Sequence, residues 1–204
     1  MYINPQAKVW GGAFGEEYAR RSPGDVEANG VMFARVLGAM ESDPKEVIEF
    51  GAGMGANLLA LRELIPSVHL MGVELNGYAL KKLRDNFPES YSGSMLDFIG
   101  NAEWDFAFTK GVLIHIHPDN LPRAYEVLYK ASRRYIMVAE YFATTMTEIE
   151  YRGRRDMLWK GPYAYDMLDH YKDLRLVEYG FVSKRDKYPQ DDLNWFLLEK
   201  RHAQ

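Results

Sequence analysis

The stretch EFGAGMGAN, residues 49–57, decides how this chain folds. An apolar run, EVIEF at 46–50, leads into it. ANLLALRELI at 56–65 follows, with Leu58, Leu61 and the Leu64/Ile65 pair on one helical face. Strand, glycine turn and helix is the local reading, and Pro66 ends the helix. Side chains at the glycine positions would block approach of a ligand to the backbone. Two patterns fit the loop. One is G-x-G-x-x-G/A, through Gly51, Gly53 and Ala56. The other is E-x-G-x-G-x-G, starting at Glu49.

Working outward, the rest of the chain alternates strand and helix. AFGEEYARR and DVEANGVMFARVLGAM read as two N-terminal helices, and SDPK breaks the pattern. VHLMGVEL is a second strand, GYALKKLRDNF a helix stopped by Pro88, and YSGSML a short third strand. WDFAFTKG is a fourth strand, PDNLPRAYEVLYKAS a helix with Pro118 near its start, and RRYIMVAEYF a fifth strand. YAYDMLDHYK is a helix, and LRLVEYGFVSKR and DLNWFLLEKR are two closing strands. Such alternation predicts an α/β fold with a mostly parallel sheet of about seven strands and helices on both faces. The closing pair predicts a C-terminal antiparallel strand. A single domain over 1–204 is expected, with 1–42 as a helical cap or lid and 143–162 as an insertion at the substrate site.

Bulk properties narrow the function classes. The chain has 204 residues, a formal net charge of −4, fourteen Tyr and no Cys. Disulfides, thiolate metal sites and cysteine nucleophiles are excluded. The charge offers no general attraction to nucleic acid or membrane, so neither is an expected partner. No apolar leader or membrane-length segment is present, and a cytoplasmic location is the expectation. The oligomeric state is not legible.

Three observations bear on the ligand. Glu49 lies within strand one, where a carboxylate is costly unless paired. It suits the cationic amino end of S-adenosylmethionine (SAM) and not a pyrophosphate. Glu74, at the end of strand two, can accept from ribose hydroxyls in either pattern. The tail completes the sheet with an antiparallel pair and not a second mononucleotide half. SAM, with S-adenosylhomocysteine (SAH) as product, is the cofactor this favours over a dinucleotide.

At this point the chain resembles the class I SAM-dependent methyltransferases over nearly its whole length. More narrowly, it is similar to small methyltransferases associated with pseudaminic acid biosynthesis. The matching stretches are WGGAFGEEYARR (10–21), EFGAGMGANLLAL (49–61), GVELNGYAL (72–80), FTKGVLIHIHPDNLPRAYEVLYKAS (108–132), AEYF (139–142), EIEYRGR (148–154), and YKDLRLVEYGFVSKRD with YPQDDLNWFLLEK in the tail. The resemblance implies that Gly51 and Gly53 line the methionine and ribose part of SAM and that Glu74 holds the ribose. Thr109, Lys110 and Gly111 stand where the amino end is usually bound. Ser94 replaces the usual acid at the adenine, with the Met95 N–H beside it and Asp97 as a spare. Trp10, Tyr18, Arg21, Glu49, Asn57 and Leu75 complete the implied cofactor set.

Methyl transfer needs an aligned O or N acceptor and sometimes a proton acceptor. His115, His117, Glu140 and Tyr141 are the candidate catalytic residues. For His115 a packing role stands as the alternative. The His115/His117 pair shows no third metal ligand, and no metal is expected. Glu140 and Tyr141 are expected to face the cleft. Glu148, Tyr151, Arg152 and Arg154 are the substrate candidates, the arginines suiting a carboxylate, with a solvated charge run as the alternative. Trp10, Phe14 and Tyr18 have i, i+4 spacing, which fits either a lid or a packed helix face. A methyltransferase acting on a small polar metabolite, such as a sugar acid or amino sugar, is the leading expectation. Another small acceptor (an amino acid, guanidine or natural-product intermediate), a macromolecular acceptor, or SAM binding without catalysis are the competing ones. A dehydrogenase is the weakest.

Overall fold

The computed structural model describes residues 4–100 and 103–201. Its frame is one seven-stranded sheet. The strands are β1 (Glu46–Phe50), β2 (His69–Glu74), β3 (Tyr91–Ser92), β4 (Trp104–Lys110), β5 (Ser132–Glu140), β8 (Leu174–Val182) and β9 (Leu193–Lys200). Their order is β3-β2-β1-β4-β5-β9-β8. The first five pair in parallel, and β9 runs antiparallel to both β5 and β8. The expected antiparallel C-terminal strand is therefore present. It lies inside the sheet, between β5 and β8.

Helices cover both faces, which is why the central strands are apolar on both sides. Along β5, Tyr135, Met137 and Ala139 face one core, and Ile136 and Val138 face the other. The first core holds α3 (Val26–Gly38), α4 (Ala56–Leu64) and α5 (Gly77–Arg84), through Phe33, Leu61 and Leu83. The second holds α6 (Leu121–Ala131) and α7 (Tyr163–His170), through Leu128 and Met167. Each fully buried side chain of this size contributes about 1.5–3 kcal/mol. Strand order reverses at β1, so the carboxyl ends of β1, β2 and β4 open onto the crevice where such sheets bind ligands.

Several elements differ from the sequence reading. A short helix, α1 (Pro5–Trp10), precedes α2 (Ala13–Arg21). It is set by the Asn4 side chain, which accepts from the Ala7 N–H at 2.6 Å, and by Pro5 at its first position. Trp10 and Phe14 are thus on different helices, separated by Gly11 and Gly12. The third strand stops after Ser92, because the Ser94 hydroxyl accepts from the Leu96 N–H and opens a 3-10 turn over Met95–Asp97. Another 3-10 turn, Pro118–Asn120, precedes α6. The 143–162 segment, expected only as an insertion, has regular structure of its own. It contains a hairpin of β6 (Thr147–Glu148) and β7 (Trp159–Lys160). Within 1–42, α1 and α2 cover the crevice, whereas α3 belongs to the core.

Candidate functional site

The glycine loop is laced to the end of β2. The Gly51 and Ala52 N–H groups donate to the Val73 carbonyl at 2.8 and 3.1 Å. The Gly53 N–H donates to Glu74 Oε2 at 2.7 Å, and the Asn76 N–H donates to Glu74 Oε1 at 2.6 Å. Burial still raises the Glu74 carboxyl above its ordinary range. Gly51 has φ +75°, and a Cβ there would stand 2.4 Å from Val112 Cγ2, so backbone conformation and close packing both require glycine. Gly55, at φ +91°, starts α4.

This lacing borders a cavity of about 280 Å³. Of the residues picked out from sequence, Trp10, Tyr18, Gly51, Gly53, Asn57, Glu74, Leu75, Ser94, Met95, Lys110 and His115 all line it. Gly111 lines it too, while Thr109 is fully buried. Glu49 stands behind the lining, fully buried, and accepts from Asn57 Nδ2 at 2.6 Å. Its other oxygen, Oε2, and Asn57 Oδ1 have no partner. Burial pushes the Glu49 carboxyl up to about 8, against the downward pull of Asn57 and Lys110. Lys110 is itself lowered by burial, and its Nζ donates to Asn29 Oδ1 at 3.0 Å.

His115 is brought to the cavity by a 3-10 turn, Leu113–His115, after β4. Its Nδ1 lies 2.7 Å from the Met157 carbonyl. A carbonyl only accepts, so Nδ1 carries the proton and Nε2 is left as an acceptor. Burial lowers His115 to about 4, so the ring is neutral at physiological pH. Trp10 packs over it at 4.4 Å between ring centroids, and Tyr151 at 5.3 Å.

The other candidates stand elsewhere. Glu140 does not face the cleft. It is 2% exposed and does not line the cavity. Its Oε1 accepts from the Val112 and Leu113 N–H groups at 3.1 and 3.0 Å, and its Oε2 from Ile114 at 3.3 Å. Both oxygens are thereby spent on the backbone that carries His115, which removes Glu140 as a direct acceptor from substrate. His117 caps the Pro118–Asn120 turn through Nδ1 and packs against Trp159, outside the cavity lining. Tyr141 is half-buried beside Lys160 and also outside the lining. Arg21 is exposed and outside it. Glu148 accepts from the Asp156 N–H at 2.8 Å, so it shapes the hairpin loop. Tyr151 joins the aromatic cluster over His115. Arg152 and Arg154 are exposed, each guanidinium lying over a ring, Tyr151 and Phe14 respectively.

Among the lining residues that the sequence reading did not single out are Asn29 and Asn76. Asn29 sits in α3 on the face shared with Met32, Phe33 and Val36, a polar residue at a core position. Asn76 caps α5, and its place ahead of a helix was the readable signal. Among the described residues, no group of three or more His, Cys, Asp or Glu could hold a metal ion. No described helix is long and apolar enough to cross a membrane.

The strand order, the glycine turn after β1 and the acid closing β2 together define the class I methyltransferase fold. Solved structures show the same architecture. The 1,6-didemethyltoxoflavin-N1-methyltransferase of Burkholderia thailandensis, crystallised with its substrate and SAH, matches at TM-score 0.66 and 16% identity, over 87% of this chain and 78% of that one. Magnesium protoporphyrin IX methyltransferase from Synechocystis, with bound SAM, matches at TM-score 0.68 and 10% identity, over 98% and 99%. Mitomycin 7-O-methyltransferase matches at 0.61 and 13% identity, over 86% of this chain and 53% of that one. No protein-family model matches the chain, and no curated protein matches it in sequence.

Proposed function

We propose that this chain is a SAM-dependent methyltransferase acting on an O or N atom of a small polar metabolite. The observation that carries the reading is the bond from the Gly53 N–H to Glu74 Oε2, which joins the glycine loop to the acid ending β2 at the edge of the cavity. Remaining lone pairs on Glu74 suit the ribose hydroxyls. Ser94 and the Met95 backbone suit the adenine edge. The unpartnered, buried Glu49 Oε2 and Asn57 Oδ1 are acceptors that a bound ammonium group would satisfy. Bound there, SAM supplies an electrophilic methyl group on a sulfonium.

His115 supplies the proton acceptor. Its neutral ring presents Nε2, with the tautomer fixed by Met157. Helices α1 and α2 form a lid that excludes water from this end of the cavity. The three solved neighbours named above are methyltransferases whose names give small-molecule acceptors, which supports the same class of acceptor here. The narrower choice of a sugar acid or amino sugar rests on the sequence resemblance, with Arg152 and Arg154 as outer contacts for a carboxylate.

Titration calorimetry with SAM, SAH and NAD tests the cofactor. SAM and SAH should bind with micromolar Kd, about −8 kcal/mol. NAD should give no heat. The converse result overturns the proposal. Radiolabelled methyl transfer to a panel of amino sugars, nucleotide sugars and amino acids then separates an enzyme from a silent SAM binder.

A further inference from the structure

The proposed lid is held at its elbow by one buried amide. Asn76 is 5% exposed, and every hydrogen-bonding group of its side chain has a partner. Its Oδ1 accepts from the Tyr78 and Ala79 N–H groups at 3.1 and 3.2 Å, capping α5. Its Nδ2 donates to the Trp10 carbonyl at 3.0 Å and to the Gly12 carbonyl at 3.2 Å. These carbonyls lie on either side of Gly11, where α1 ends and α2 begins. A flipped amide would set an NH2 group against two helix N–H donors, so the orientation is fixed. The same residue's backbone N–H donates to Glu74 Oε1.

Packing at the elbow shows how closely it is seated. Gly15, one turn into α2, leaves no room for a side chain. A Cβ there would stand 1.8 Å from the Trp10 carbonyl oxygen and 2.9 Å from Asn76 Nδ2. At its other end α1 is tied by Gln6 Nε2, which donates to the Asp156 carbonyl at 2.9 Å. Trp10, whose carbonyl Asn76 grips, is the residue that lies over His115.

We propose that Asn76 is a positioning residue that latches the α1–α2 elbow shut, so that occupation of the Glu74 end of the cavity and closure over His115 favour one another. The inference rests on the SAM-site reading. A ligand shifts a lid only by binding its closed state better than its open one. That condition is met here, because Trp10, Tyr18 and Ala19 of the lid line the same cavity as Glu74 and the glycine loop. A ligand in that cavity touches both body and lid, and Asn76 fixes the register in which they meet.

Hydrogen exchange on the full chain, with SAH as the probe, tests this. Asn76→Asp keeps the oxygen that caps α5 and loses both donors to the elbow. Gly15→Ala keeps the Asn76 amide and Glu74 in the sequence and forces the elbow away from them. In the wild type, SAH should slow exchange across 5–21. In both variants that protection should be largely lost, SAH Kd should rise about tenfold, as expected for two hydrogen bonds, and exchange in α5 should stay at the wild-type level. Full SAH protection of 5–21 in both variants overturns the latch and leaves the SAM reading standing. Absence of SAH binding to the wild type overturns both.

Discussion

The Nδ1–H of His115 donates to the backbone carbonyl of Met157, in the loop that leads into β7. This bond fixes the tautomer of a ring that burial already keeps neutral, with a pKa lowered to about 4. A depressed histidine gains its proton only as pH falls through the lowered value. Turnover that depends on the free Nε2 should therefore show no limb near pH 6.5 and should fall only towards pH 4. His115→Ala should lower kcat about 10²- to 10³-fold, the usual worth of a positioned acid–base group, and leave SAH affinity within about threefold. A variant with full turnover would reduce His115 to packing.

Glu140 acts on the same turn from behind. Three backbone N–H groups converge on its carboxylate in the core, and burial pushes it up to about 7. Glu140→Ala leaves three buried donors without an acceptor and should cost about 2–5 kcal/mol in urea unfolding. Glu140→Gln keeps one oxygen for the Val112 and Leu113 pair and should recover roughly half of that loss. If Gln instead abolishes turnover with stability intact, Glu140 exchanges a proton with substrate and the positioning role is wrong.

Gly51 is constrained twice, by φ +75° and by the Val112 side chain. Gly51→Ala should destabilise the fold by about 1–3 kcal/mol and abolish measurable SAH binding. Adding Val112→Ala removes both γ-methyl groups from the clash. The double variant should regain part of the stability, a non-additive result expected of residues in contact. Strict additivity in thermal or urea unfolding would show that the clash relaxes at no cost.

The frame was legible because its signals are local. Each central strand is an apolar run bounded by a turn, and the acid at Glu74 falls at a strand end that periodicity alone locates. Gly51, Gly53 and Glu74 could be singled out for the same reason, since they lie at the ends of β1 and β2, whereas Trp10, Tyr18, Ser94 and Lys110 came from the family resemblance. The acceptor side was less legible. Glu140 stands at the end of β5 and reads as exposed, yet the turn after β4 folds over it, a contact 26 to 28 residues away in sequence. His117 reads as one of a pair with His115, but His115 ends one 3-10 turn while His117 caps the next, outside the cavity lining. Trp10 and Phe14 read as one helical face because the elbow at Gly11 and Gly12 leaves their spacing unchanged. The elbow is held by the amide that caps α5, and while the cap is readable locally, its reach to the Trp10 and Gly12 carbonyls is not.

The buried acid behind the glycine loop yields the last expectation. Burial raises Glu49 from an ordinary 4.5 to about 8. A carboxyl raised in the folded state holds its proton where the unfolded chain has lost it. Its contribution to stability is full below pH 4.5 and is lost as pH rises towards 8, at about 1.4 kcal/mol per pH unit. Compared with Glu49→Gln, the ligand-free wild type should therefore lose stability steadily across that window, by a few kcal/mol in all. A bound ammonium group reverses the preference, because an adjacent cation favours the carboxylate. At pH 7 the wild type should release close to one proton on binding SAH, and the Gln variant none. Calorimetry in two buffers of different ionisation enthalpy reads this directly. Equal heats in both buffers for the wild type would mean that Glu49 does not meet the amino end of the ligand, and the orientation assigned to SAM in this cavity would have to be reversed.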